Sequence, residues 1–141
     1  MAQTGQSTEN ALYAGSPAVQ PAANAFGGRL KRYRSRIAMT SQTVGEIALT
    51  RVPPGSVFAF GVITTSATLG SSTIAVGITG TVAKYKAAAT FTAVNIPTIF
   101  GIAAAQDDEG LAAAEDIFAT IASATLPASG TVIIDLYFSA L

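Results

Sequence analysis

The sequence predicts an all-β protein, an antiparallel β-sandwich of seven or eight strands that follows an extended N-terminal arm. Three observations lead to this fold class. From about residue 37 onward, apolar and polar residues alternate in short runs rich in Val, Ile, Thr and Phe, which is typical of half-buried strands. Turn residues interrupt these runs every eight to fifteen positions. Residues 1–28, by contrast, show neither a strand period nor a helix period.

The arm is rich in Ala, Gly, Gln, Ser, Asn and Pro, a composition typical of weakly ordered chain. Fully stretched, its 28 residues reach about 90 Å, at roughly 3.3 Å per residue. A disordered tail is one interpretation. The other is an arm that docks into grooves on neighbouring molecules, with four isolated apolar side chains as anchors: Leu12, Tyr13, Val19 and Phe26.

A basic segment follows the arm and holds five of the eight basic residues of the chain: Arg29, Lys31, Arg32, Arg34 and Arg36. In a strand, the arginines at 32, 34 and 36 would share one face and the other two residues the opposite face. Three interpretations are open. The segment is a solvated hinge, a docking site for the carboxylates of a partner protein, or a phosphate-binding site on nucleic acid. Nucleic acid is disfavoured, because Tyr33 is the lone interleaved aromatic and the formal net charge is zero.

The first part of the predicted sandwich contains three strand candidates. The run "GEIALTRV" alternates, and "PPG" at 53–55 marks a turn. The run "SVFAFGVITTS" is apolar on both faces, which predicts a buried central strand. In "STIAVGI", we expect Ile74, Val76 and Ile78 to point inward.

Four further candidates complete the sandwich. We expect "TVAKYKAAATFTA" to be a strand with Lys84 and Lys86 outward, and with an inward set of Tyr85, Ala87, Ala89 and Phe91. The run "PTIFGIAAA" predicts a short strand, whereas "DIFATIASATL" fits either a strand or an Ala-rich helix. The last strand, "TVIIDLYFSAL", places Asp135 outward, where its charge would protect a sheet edge; its inward set is Val132, Ile134, Leu136 and Phe138.

The chain is thus divided into an arm with its basic junction, residues 1–36, and a sandwich domain, residues 37–141. Jelly-roll and immunoglobulin-like connectivities are both compatible with this pattern.

An acidic segment, "DDEGLAAAED", holds five of the eight acidic residues: Asp107, Asp108, Glu109, Glu115 and Asp116. It lacks the D-x-[DN]-x-[DN]-G spacing of a calcium loop, so a calcium site is disfavoured. A solvated loop is one interpretation. The other is an acidic patch that pairs with the basic segment of a neighbouring subunit and sets the register of a homo-oligomer.

Composition restricts the function. The charged fraction is 11%, against about 25% in ordinary soluble domains, so we expect copies of the chain or a partner to cover much of the surface. Cys and His are absent, which excludes disulfides, Cys/His zinc sites and His-dependent catalysis. An enzymatic role is therefore disfavoured, and no cofactor is expected. The N-terminus does not resemble a secretion signal, and no apolar run is long enough to cross a membrane.

Residues 29–140 resemble a group of small virion structural proteins of tailed bacteriophages. The shared features are "RLKRYRSRIAM", a "PPG" before a long apolar strand, "TSATLGSSTIAVGI", "AKYKAAATF", "PTIFG" and "LPASGTVIIDLYF". The resemblance implies a β-sandwich of the head decoration (cement) or head-fibre-base type. It also implies a symmetric oligomer, a trimer or dimer, that binds the major capsid protein on the virion head and is assembled in the bacterial host cytoplasm.

We therefore expect a decoration protein that bridges capsomers through its arm, with the basic segment fixing the junction. One alternative is a tail or fibre-base adaptor that connects a fibre protein to the virion. A host-surface or glycan-binding sandwich is less favoured, because Tyr137 is the lone aromatic expected on the outside of the sandwich.

Overall fold

A computed structural model describes residues 29–107 and 109–140, in which eight strands form two four-stranded antiparallel sheets packed as a sandwich. A single 3-10 turn, Ala103–Ala105, lies within these ranges. The strands are β1 (Arg29–Ala38), β2 (Gly45–Val52), β3 (Val57–Thr65), β4 (Thr73–Ile78), β5 (Thr81–Ala89), β6 (Thr98–Phe100), β7 (Glu115–Ala122) and β8 (Thr131–Ala140).

The strand order identifies the connectivity. The first sheet has the order β1-β8-β3-β6, and the second has β2-β7-β4-β5. The first strand pairs with the last, the second with the seventh, the third with the sixth and the fourth with the fifth. This is the pairing of a jelly roll, in which one long antiparallel ribbon wraps around the core. The predicted all-β sandwich is confirmed, and the immunoglobulin-like alternative is wrong.

Strand β8 supplies the centre of the core. Its four predicted inward side chains are each at most 1% exposed, and Asp135 lies between two of them in sequence. Strand β3 lies between β8 and β6, as its run of apolar residues on both faces predicted.

An aromatic cluster joins the two sheets around Phe138. Its ring meets Tyr33, Phe58 and Tyr85 edge-on, with centroid distances of 5.9, 5.4 and 5.8 Å. Such pairs contribute about 0.5–1.5 kcal/mol each beyond the area they bury. Because Tyr33 comes from β1 and Tyr85 from the second sheet, the cluster ties the first strand to both layers.

Strand β1 begins earlier than expected. The sequence placed the start of the sandwich at residue 37, but β1 begins at Arg29 and pairs with β8 along its whole length. Alternate residues face the core: Tyr33 is half-buried and Ile37 is 6% exposed. The dense basic charge of the segment obscured this alternation in the sequence.

Two other expectations are decided by sheet position. The ambiguous segment after residue 115 is strand β7, with Ile117, Ala119 and Ile121 buried on alternate positions. Tyr85 and Phe91 are buried as expected, but the two alanines at 87 and 89 are exposed, because irregular pairing with β4 shifts the register of β5. Within the described ranges, no helix is long and apolar enough to span a membrane.

Candidate interaction surfaces

The outer face of the first sheet carries a row of arginines along β1. Arg32, Arg34 and Arg36, here called the basic stripe, occupy alternate positions of the strand, opposite Tyr137, Asp135 and Ile133 of β8. Residues two apart on a strand lie about 6.6 Å from one another. The expected division of the basic charge is confirmed, since Arg29 and Lys31 alternate to the other face of the strand.

Arg34 forms a bidentate salt bridge with Asp135. Its Nε donates to Oδ1 and its Nη2 to Oδ2, each at 2.7 Å. The Asp135 side chain is 7% exposed, and the hydrogen bond from Arg34 lowers its pKa although burial opposes the shift. The expectation that Asp135 protects an edge is wrong, because β8 is an inner strand. Both oxygens of the carboxylate are hydrogen-bonded to Arg34.

The other two arginines of the stripe face solvent. Arg32 and Arg36 are exposed, and no carboxylate of the described residues lies within ion-pair distance of either. Their charge nonetheless reaches Asp135, since both help to lower its pKa. In the stripe, therefore, Arg34 is ion-paired, whereas Arg32 and Arg36 on either side of it have no ionic partner among the described residues.

Apolar side chains continue the same face beyond the stripe. The rings of Tyr137 and Phe60 stack with centroids 4.6 Å apart and an interplanar angle of 18°. Ile133 and Val62 are half-buried beside them, and Ile99 of β6 is 71% exposed. The outer face is thus basic along one margin and largely apolar across the rest, a pattern typical of a surface that contacts another protein.

The acidic segment is divided by the fold. Glu115 accepts a hydrogen bond from the Tyr85 hydroxyl at 2.6 Å and another from Lys84 Nζ, and its side chain is 18% exposed. Burial, and then the bond to Glu115, raise the pKa of the Tyr85 hydroxyl. Asp116 lies 3.4 Å from Arg51 in an exposed pair. Two of the acids proposed to pair between subunits therefore already have partners in their own chain.

Asp107 and Glu109 remain exposed, and the chain that follows them is hydrogen-bonded to the turn before β3. The Gly55 amide donates to the Leu111 carbonyl at 2.8 Å, and the Leu111 amide donates to the Ser56 carbonyl at 2.9 Å. Gly110 packs so closely on Gly55 that a Cβ atom would lie 2.8 Å from its backbone. In the part of the chain that the structure describes, no acids are grouped to hold a metal ion.

Some predicted contact residues lie outside the described residues. These are the four apolar anchors of the arm, Leu12, Tyr13, Val19 and Phe26, together with Asp108 of the acidic segment.

Sequence reasoning missed a groove between β5 and β6, the strands at one open edge of the sandwich. This groove, here called the edge groove, encloses about 360 Å³ and is lined mainly by apolar groups, among them Ile63, Phe91, Phe100 and Ile102. Phe100 lies across Gly61, where a Cβ atom would meet its ring at 2.2 Å. The signal in the sequence was the apolar spacing of "VNIPTIF", which the structure leaves largely exposed.

Comparison with known proteins finds similarity in structure alone. No protein-family model and no curated protein matches the chain. A chain of the cyanophage Pam1 capsid asymmetric unit superposes with a TM-score of 0.66 and 16% identity, covering 82% of this chain and 88% of that one. A chain of the capsid of Ralstonia phage GP4 superposes with a TM-score of 0.61 and 16% identity, covering 81% and 84%. At these identities the matches establish a shared fold.

Proposed function

We propose that the chain is a bacteriophage virion structural protein, a head decoration (cement) protein that binds the outer surface of the capsid. The observation that carries this proposal is the outer face of the first sheet. There Arg32 and Arg36, which have no ionic partner among the described residues, flank the paired Arg34 beside an apolar area. Its fold is shared with chains of two phage capsids, which supports a role in the virion. The work of such a protein is mechanical and uses no cofactor.

The stripe fits a protein surface that presents carboxylates. Arginine binds carboxylates through two parallel hydrogen bonds, and the Arg34–Asp135 pair shows that geometry on this face. The two arginines left for a partner, Arg32 and Arg36, lie four residues apart, about 13 Å along the strand. This distance matches carboxylates carried four residues apart on an extended segment. Complementary charge of this kind sets orientation and association rate, while the apolar area beside it contributes buried surface. We assign the major capsid protein as the partner.

The arm extends the contact to adjacent capsomers. In this proposal its four apolar residues, Leu12, Tyr13, Val19 and Phe26, anchor it on copies of the chain that are bound to adjacent capsomers. A neighbour that binds the assembled form and not the free form stabilises the assembled form by mass action. A symmetric homo-oligomer, a trimer or dimer, would present several stripes to the lattice at once and raise the avidity.

The test compares two double variants in pelleting with undecorated heads of the phage that encodes the chain. Arg32→Glu/Arg36→Glu reverses the exposed arginines of the stripe. Arg29→Glu/Lys31→Glu makes the same change of charge on the other face of the same strand. We expect the first variant to lose head binding and the second to retain most of it.

Equal loss in both variants would mean that net charge alone matters, and retention in both would exclude the stripe as the capsid contact. If the wild-type chain does not bind heads but pellets with tails, the decoration role is wrong and the adaptor function is supported.

A further inference from the structure

The edge groove is an apolar surface that none of the described residues fills. We propose that it receives the segment around residues 12–19 from the N-terminal arm of a second copy of this chain. The proposal concerns a contact between copies, so it goes beyond the capsid role and does not depend on it.

The groove is chemically suited to an uncharged peptide. The one charged side chain in its lining is Lys86, whose Nζ donates to the backbone carbonyls of Ile74 and Ala87 at 3.2 and 3.1 Å. Burial lowers the pKa of this amine. With Lys86 engaged in this way, the remaining lining offers mainly methyl groups and aromatic carbon to an incoming segment.

An exposed apolar ridge lies beside the groove. Val94, Ile96 and Ile99 are 39%, 57% and 71% exposed, and they are three of the six large apolar residues left exposed in the described ranges. Concentration of half of that set within six positions marks a contact surface rather than scattered surface residues. Ile99 is also part of the lining of the groove, so the ridge adjoins the groove at this residue.

Both strands that border the groove are at the edges of their sheets. Strand β5 ends the second sheet and β6 ends the first. The outer backbone groups of an edge strand are free to pair with an added extended segment, and side-chain pockets beside the edge then select its apolar residues. An extended arm can therefore gain backbone hydrogen bonds and apolar burial at the same place.

The arm has the matching chemistry. Glu9 is the lone charged side chain in residues 1–28, and the residues between the apolar anchors are mostly small. Small residues let an extended backbone approach a sheet edge closely, while Leu12, Tyr13 and Val19 supply the side chains to fill the groove.

The position of the arm's end favours a second copy. Arg29 begins β1, and two strands, β8 and β3, separate β1 from β6. The sixteen residue-to-residue steps from Tyr13 to Arg29 span about 53 Å when extended, at roughly 3.3 Å per residue. A domain of about 100 residues has a radius of gyration of about 13 Å, so this reach passes well beyond its own body. Pro17 and Pro21 favour extended backbone at the residues that precede them.

The experiment uses the full chain and two disruptive variants. Ile96→Asp/Ile99→Asp places charge on the ridge, and Leu12→Asp/Tyr13→Asp places it on the arm. Val44→Asp is the matched control, because Val44 is as exposed as Ile96, at 57%, and lies next to β2, outside the groove. The molar mass of each is measured by multi-angle light scattering, together with hydrogen exchange of residues 96–102.

We expect the wild type and the Val44→Asp variant to be oligomers with protected groove amides. Both disruptive variants should shift the mass toward the monomer, with a rise of at least about tenfold in the dissociation constant. If both keep the wild-type mass, the inference is wrong. If the ridge variant alone dissociates, the arm is not the occupant.

A monomeric wild type whose groove loses protection in the arm variant would show that each arm fills its own groove, and would overturn the assignment to a second copy. The stripe variant Arg32→Glu/Arg36→Glu leaves the groove intact. Its failure in head pelleting is therefore separate from any failure here.

Discussion

The two charged segments of the chain differ in what the fold does with them. On β1, one arginine of the basic stripe is paired inside the chain, and Arg32 and Arg36 face solvent without an ionic partner in the described residues. In the acidic segment, Glu115 and Asp116 both have intramolecular partners. A cluster of charge in the sequence is available to a partner only where the fold leaves it unpaired. The basic segment meets this condition better than the acidic one.

The largest expected effect comes from breaking the pair that anchors the stripe. Arg34→Met leaves the Asp135 carboxylate, which is 7% exposed, without its hydrogen-bonded partner. Because Arg34 is itself 39% exposed and the charges of Arg32 and Arg36 still act on the carboxylate, we expect a loss of about 2–3 kcal/mol in the free energy of unfolding. Arg51→Met removes the other directly opposite cross-strand pair, whose side chains are 69% and 57% exposed, and should cost about 0–1 kcal/mol. Urea denaturation measures both; equal losses would contradict the distinction between them.

The same pair makes stability depend on pH. Because Arg34 lowers the pKa of Asp135 below its ordinary value of 3.8, the pair stabilises the fold above that pH. The contribution is lost as the pH falls through the lowered pKa. We therefore expect the difference in unfolding free energy between wild type and Arg34→Met to narrow below about pH 4. A difference that stays constant down to pH 2 would exclude this linkage.

A smaller effect is expected from the partly buried end of the acidic segment. Glu115→Ala leaves the Tyr85 hydroxyl without its acceptor beside the core, and we expect a loss of about 2 kcal/mol in unfolding free energy. Asp116→Ala, one residue away and exposed, should cost less than about 1 kcal/mol. Thermal unfolding of the two variants gives the comparison, and a larger loss at Asp116 would reverse our ranking of the two acids.

The smallest effect is expected from the exposed acids. Among the described residues, Asp107 and Glu109 are the two acids left for the proposed acidic patch between subunits. Exposed ion pairs contribute about 0–1 kcal/mol each, so Asp107→Lys/Glu109→Lys should weaken the oligomer by no more than a few-fold. Sedimentation at two salt concentrations tests this. Unchanged dissociation at low salt would remove the acidic patch from the interface.

The sequence predicted the parts of the fold that depend on local alternation. In β8, each predicted inward side chain is buried, because an inner strand between two others keeps its two-residue period. Strand β1 was missed because charged residues fill its outer face and part of its inner face. The register of β5 departed from simple alternation at its irregular pairing with β4.

The candidate surfaces were less predictable, because they depend on contacts between distant residues. The partner of Asp135 lies 101 positions away, and nothing in "VIIDLYF" identifies it. The edge groove exists because β5 and β6 end their sheets on the same side of the sandwich, which is a property of strand order. The outward position of Arg32, Arg34 and Arg36 did follow from parity once β1 was a strand.

A cryo-electron microscopy reconstruction of heads saturated with the chain tests the central claim most directly. Our account predicts that the outer face of the first sheet rests on the shell, with Arg32 and Arg36 against carboxylates of the capsid protein and Tyr137 inside the contact. A reconstruction in which that face points to solvent, and the second sheet touches the shell, would contradict it.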